Sequence, residues 1–206
     1  MAEKFDLTNS LSRYIVSDQA ARLPQPVAER AKIHILDTIG AMISGSTLRP
    51  GKVAIDFVRG QGGPLDATVV ATDLRSSPIF AALANAMTAH ADETDDAHFP
   101  TVTHPGSVIL PVALAVAETR HRSGRDLIIA VVLGYDVMCR INKAVGRAWM
   151  GNRGLHAGSL RSVFGAAAAA SRLLAASTQQ VSPRVGASRN PGMRDQYLAP
   201  RSRTHR

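Results

Sequence analysis

Apolar positions recur along this chain at helical spacing in one segment after another. Leu7, Leu11, Tyr14, Ile15 and Leu23 mark an amphipathic helix from Leu7 to Arg22. Leu23-Pro24-Gln25-Pro26 breaks it, and Pro26 suits the first turn of a second helix. That helix carries Val27, Ala31, Ile35, Leu36, Ile39 and Ile43 and stops around Gly45. A shorter third helix spans Lys52 to Arg59, and Gln61-Gly62-Gly63-Pro64 is a turn. Ala67 to Ala71 reads as a short strand with no obvious partner. A fourth helix opens at Ser77-Pro78, with Ser77 as its cap, and runs to His90. The fifth, Gly106 to Arg120, is strongly apolar and contains Pro111, which should end it early or kink it. Asp126 is placed to cap a sixth helix through Leu127, Val131, Tyr135, Met138 and Ile141. A last helix runs from Ala157 to about Ala176, with Gly165 and five successive alanines in its middle. A face this small must lie against another backbone. The fold class is all-α.

Composition agrees with this and adds two limits. The chain has 206 residues, enough for one sizeable core. Aromatics make up only 4%, which favours close-packed helices with small residues at their contacts. A single cysteine, Cys139, excludes an internal disulfide framework and reads as packing. No apolar run reaches membrane-spanning length, and the N-terminus lacks a signal-peptide pattern, so the default expectation is a cytoplasmic protein. Net charge is +8, which invites a nucleic-acid reading. However, residues 181–206 hold six Arg and one Asp, leaving the body close to balanced. No nucleic-acid partner is expected. From Gln179 onward the chain has Pro183, Pro191 and Pro200, scattered Arg and no apolar period. We read residues 179–206 as a disordered tail foreign to the helical domain, as a shifted reading frame would produce.

Chemistry concentrates between Asn85 and Pro105. His90-Ala91-Asp92-Glu93-Thr94-Asp95-Asp96-Ala97-His98 holds four carboxylates and two histidines in nine residues, and His104 follows. Carboxylates this crowded need cations, hydrogen bonds or helix N-termini around them. Three readings compete: a solvated acidic loop, a metal site and an acid–base site. The spacing matches no strong metal motif. His104-Pro105-Gly106 stands at the start of the fifth helix, where a substrate carboxylate would be favoured. His156 stands in a similar place before the alanine-rich helix, with Arg147, Arg153, Arg161 and Lys143 nearby in sequence. His34, on the apolar second helix, reads as a core histidine.

An ordered set of short motifs then becomes recognisable. It includes Ala31-Lys32, Leu36-Asp37-Thr38-Ile39-Gly40, Asn85, Ala89-His90 and Asp95-Asp96. His104-Pro105-Gly106, Leu110-Pro111, Ala117-Glu118, Gly134-Tyr135, Gly154-Leu155-His156 and Phe164 to Ala169 continue it. Over residues 7–176 the chain resembles the MmgE/PrpD family, which includes 2-methylcitrate dehydratase, cis-aconitate decarboxylase and iminodisuccinate epimerase. The resemblance implies a helical domain, here residues 1–178 as its first part, in a longer protein that forms a homodimer. It implies no metal and no organic cofactor. Carried over by position, His104 and His156 look like the family's active-site histidines, and Asp95 and Asp96 like its Asp pair. Glu93, His98, Arg153 and Arg161 are assigned to substrate binding. Ala97 stands where many relatives have a polar residue, and the loop from Asp96 to His104 is one residue longer than in the decarboxylase branch.

The leading expectation is therefore a dehydratase-type lyase acting on a small polycarboxylate by histidine proton transfer. Decarboxylation or epimerisation of a related acid is the first alternative. A different class is also open: an inactive fragment or a helical dimerisation module. A partial helical domain should leave apolar faces uncovered and tend to associate.

Overall fold

The computed structural model describes residues 6–17, 22–145 and 157–186, with side chains in the last segment at residues 162–182. Eight helices account for these segments: α1 (Leu7–Val16), α2 (Gln25–Ser46), α3 (Arg49–Arg59), α4 (Pro78–Ala89), α5 (Gly106–Thr119), α6 (Gly124–Val145), α7 (Ala157–Leu173) and α8 (Thr178–Gly186). A two-stranded ribbon, β1 (Ala67–Thr68) with β2 (Arg75–Ser76), interrupts them. The all-α class holds. No helix among the described residues is long and apolar enough to cross a membrane.

Local chemistry explains most boundaries. Asp6 caps α1 by accepting the Asn9 N–H at 3.1 Å. The start of α6 differs from expectation, because Ser123 and Asp126 cap it together. The Asp126 carboxylate takes the Ser123 N–H and hydroxyl, while the Ser123 oxygen takes the Asp126 N–H, a reciprocal capping box. Ser77 precedes α4 in extended conformation but makes no side-chain cap. Pro111 neither ends nor shortens α5, which runs on to Thr119. The ring sits in the second turn, so it removes one backbone donor only, and it is buried in the apolar centre of the fold.

The strand expected at Ala67 does have a partner. Ala67 pairs antiparallel with Ser76 and Thr68 with Arg75. Arg75-Ser76 carries no apolar signal, which hid it from periodicity. Asn85 on α4 fastens the ribbon, accepting the Val70 N–H and donating to the Thr68 carbonyl, both at 2.9 Å. Fully buried Asn85 is therefore structural, and the chemistry-bearing segment begins later, at His90.

The irregular tail expected from residue 179 gives way to α8 over residues 178–186. Val181 is fully buried with Ile15, Leu133, Val137 and Ala168, so α8 closes a second core against α1, α6 and α7. One well-placed valine and a Ser177–Gln180 cap suffice where no period was visible.

The main core gathers Met42, Ala89, Ile109, Leu110, Ala113, Ala130, Val131, Met138, Ala169 and Leu173 from α2, α4, α5, α6 and α7. Its tightest contact is the one the small face of α7 requires. A Cβ on Gly165 would fall 2.6 Å from the Gly134 carbonyl oxygen, and one on Gly134 would fall 2.7 Å from Ile109 Cγ2. Two backbones thus touch, with Ile109 of α5 wedged over them. Elsewhere the apolar surface is incompletely covered. Ile33, Leu36 and Ile43 stand exposed on α2, as do Ile79, Leu83 and Met87 on α4.

Two glycines in helix interiors should respond oppositely to the same change. Gly40→Ala meets nothing within 4 Å and should stabilise by about 0.5–1 kcal/mol through lower unfolded-chain entropy. Gly165→Ala meets a backbone carbonyl that cannot move aside, and should destabilise by about 1–3 kcal/mol. Urea midpoints of the two variants check this, and equal shifts would refute the backbone contact.

Candidate active site

The chain leaves α4 at His90, reverses, and reaches α5 at Gly106. Glu93 takes a left-handed conformation (φ 55°) at the reversal, and Val102 does so (φ 51°) before the return. Asp92 helps to hold the turn, accepting hydrogen bonds from the Ser44 and Thr94 hydroxyls. Those bonds, the Ser44 one foremost, pull its carboxyl below the usual range. Farther along, the backbones of His98 and Thr103 pair across a small loop, and His98 Nδ1 lies 2.7 Å from Thr101 Oγ1.

The reversal sends the two neighbouring aspartates to different places. Asp95 faces the histidines. Its side chain is fully buried, and its Oδ1 lies 3.0 Å from His90 Nδ1 and 3.4 Å from His104 Nδ1. The two imidazoles stand with centroids 5.1 Å apart and remain partly exposed, at 45% for His90 and 34% for His104. His104 Nδ1 also lies 3.3 Å from the Asp95 carbonyl oxygen. A carbonyl oxygen only accepts, so this contact calls for a proton on Nδ1 of His104, and in the neutral ring the lone pair is then on Nε2. This is the arrangement of a general base oriented by a carboxylate.

Asp96 faces the scaffold. Its Oδ1 accepts the Gly106 N–H at 2.8 Å, capping α5. Its Oδ2 accepts from the Tyr135 hydroxyl at 2.9 Å and lies 3.0 Å from His34 Nδ1. One carboxylate therefore joins α2, α5 and α6. A Cβ on Gly106 would lie 2.7 Å from Asp96 Oδ1, so only glycine admits this cap. Burial, reinforced by the charge of Asp96, pushes the Tyr135 hydroxyl well above its usual range, so it serves as a fixed donor. Burial likewise raises the Cys139 thiol to about 11, with the charges of Asp96 and Asp136 adding to it, in keeping with a packing role.

Several expectations change at this point. Asp95 and Asp96 point to different partners, Asp95 to the two histidines and Asp96 to Gly106, Tyr135 and His34. Asp96 occupies the first N–H of α5, where a substrate carboxylate was expected. His34 is a half-exposed ligand of that carboxylate rather than an enclosed core histidine. Glu93 lies exposed at the apex of the reversal and His98 is tied into its own loop. His156, Arg153 and Arg147 lie outside the described residues, as does the side chain of Arg161. His90 was visible only as part of the charged run. Its partner lies five residues on, across a left-handed turn that no periodicity announces.

The fold and this site define the N-terminal helical domain of a known enzyme family. The MmgE/PrpD N-terminal domain model matches residues 9–197, and the chain belongs to that family. It is 32% identical to the human cis-aconitate decarboxylase over 84% of this chain and 37% of that protein. Identity is 31% to the cis-aconitate decarboxylase-like protein oryM of Aspergillus oryzae, over 88% of this chain and 39% of the relative. The cis-aconitate decarboxylase of Aspergillus terreus is 26% identical over 89% of this chain and 38% of its own length. The chain thus spans less than two fifths of these relatives.

The division between the aspartates can be measured. Asp96→Ala removes the acceptor from the Gly106 N–H and the Tyr135 hydroxyl, at about 1–3 kcal/mol for each buried group left unpaired. Tyr135→Phe leaves Asp96 with two of its partners and should cost less. Denaturant melts should show this order, and an equal loss in both variants would contradict the three-way junction.

Proposed function

We propose that this chain supplies the histidine–aspartate part of the active site of a lyase acting on a small polycarboxylate. The observation that carries the reading is the His90–Asp95–His104 cluster, in which a buried carboxylate fixes two partly exposed imidazoles. In a dehydration, Nε2 of His104 removes a proton from the carbon beside a carboxylate while hydroxide departs from the neighbouring carbon and is protonated to water. In a decarboxylation, carbon dioxide leaves with the bonding pair left on carbon, and an imidazolium returns a proton to the resulting carbanion. Both need a histidine whose ring is held in one orientation. The relatives named as cis-aconitate decarboxylases favour decarboxylation over dehydration. No metal or organic cofactor takes part in this proposal.

Turnover assays with cis-aconitate, 2-methylcitrate and iminodisuccinate separate the branches. His104→Ala should lower the rate with the accepted substrate by about 10²–10⁴-fold. Unchanged turnover in that variant would remove His104 from the chemistry. A folded chain inactive on all three acids would favour the non-catalytic helical module.

We also propose that the chain associates with a second copy. The exposed Ile33, Leu36 and Ile43 of α2 beside Ile79, Leu83 and Met87 of α4 support this. Light scattering should report a mass above that of one chain, and a monodisperse monomer would end the proposal.

A further inference from the structure

We infer that the His90–Asp95–His104 cluster is a binding site for a borderline-soft divalent cation of the Zn²⁺ type, and that such a cation switches the site off. Occupation rests on the geometry alone. Its effect on turnover rests on the proton-transfer reading above.

One ligand atom from each of the three residues lies within 4.8 Å of the others. Zn²⁺ holds nitrogen and oxygen ligands at about 2.0–2.2 Å, so tetrahedral neighbours stand roughly 3.3–3.5 Å apart. Of the separations of Asp95 Oδ1 from the two Nδ1 atoms, the 3.4 Å to His104 falls in that range and the 3.0 Å to His90 lies just below it. Only the two imidazoles must approach one another, and both lie partly exposed. The same exposure gives an ion an entry path and leaves a fourth position for water. A second observation points the same way. Asp95 Oδ2 is buried with no hydrogen-bond partner among the described residues, so the carboxylate is under-compensated. A cation shared with the histidines would balance that charge. Two nitrogen ligands and one oxygen suit Zn²⁺, Co²⁺ or Ni²⁺, and disfavour Mg²⁺ and Ca²⁺, which prefer oxygen shells.

The inhibitory consequence follows from tautomer chemistry. In the proton-transfer reading Nδ1–H of His104 faces Asp95 and Nε2 is the base. A cation on Nδ1 needs the lone pair there, so the single proton of the neutral ring moves to Nε2. Nothing is oxidised or reduced, and no proton is lost from a neutral ring, but the base is gone. The cation therefore competes with catalysis instead of serving it, which is compatible with a reaction that needs no metal.

The test is calorimetric titration of the full chain with ZnCl₂, alongside Co²⁺ absorption spectra and a parallel MgCl₂ titration. We expect one Zn²⁺ per chain, a Co²⁺ visible spectrum of four- or five-coordinate type, and no Mg²⁺ binding at the same concentrations. His90→Ala, His104→Ala and Asp95→Asn should each weaken Zn²⁺ by at least about 100-fold, since even outer-sphere partners of metal ligands are worth 10–100-fold. His121→Ala, remote in sequence and outside the cluster, should leave it unchanged. Absence of Zn²⁺ binding, an octahedral Co²⁺ spectrum, or undiminished affinity in His90→Ala and His104→Ala would overturn the site. The Co²⁺ spectrum of the unmutated chain keeps the test decisive if a variant fails to fold. Binding without inhibition would uphold the site and count against the proton-transfer reading, so the two can fail separately.

Discussion

The largely buried carboxylate of Asp96 is the constraint on which the rest of the site depends. Removing a carboxylate from water is costly unless its oxygens are fully engaged. Asp96 meets that demand with the Gly106 N–H, the Tyr135 hydroxyl and His34, drawn from three different helices. Those partners fix the end of the 90–104 segment against the start of α5. Backbone direction then dictates what the preceding residue can do. Asp95 has to point away from the junction, and it does so into the gap between His90 and His104. Two adjacent carboxylates thereby divide the work, one locking helices and the other orienting imidazoles.

The lock itself is placed by packing of small residues. Gly134 and Gly165 let α6 and α7 approach until backbone touches backbone, and Ile109 seats α5 on that contact. Tyr135 follows Gly134, and Gly106 lies one turn before Ile109. The contact that the alanine-rich sequence demands therefore sets the distance between the Tyr135 hydroxyl and the α5 N-terminus. Asp96 spans that distance. A shift in the core would be felt first as a longer bond to Asp96 and next as a misplaced Asp95.

Helices with several periodic apolar residues were legible in the sequence, as was the need for α7 to lie against a backbone. Elements held by one or two contacts were not. The partner strand Arg75-Ser76 is held by the Arg75 guanidinium, which donates to the Leu65 and Asp66 carbonyls and the Thr68 hydroxyl, contacts that hydrophobic period does not register. The helix α8 depends on Val181 entering a core assembled by residues far away in sequence. In the site, the right residue types were visible but their partners were not. Pairing between His90 and Asp95 depends on a left-handed turn at Glu93, a residue type that gives no warning of one. The proximity of Asp95 to Asp96 in sequence suggested a joint role, whereas their side chains meet different partners.

The same geometry indicates what the remainder of the site must contain. Proton removal beside a carboxylate, or loss of carbon dioxide, builds negative charge that has to be stabilised. An α-helix N-terminus is well suited to that, but the leading N–H of α5 already holds Asp96. His90 and His104 are held by Asp95 through Nδ1, which orients them without adding a permanent positive charge. Substrate carboxylates in the proposed reaction therefore require cations from other segments.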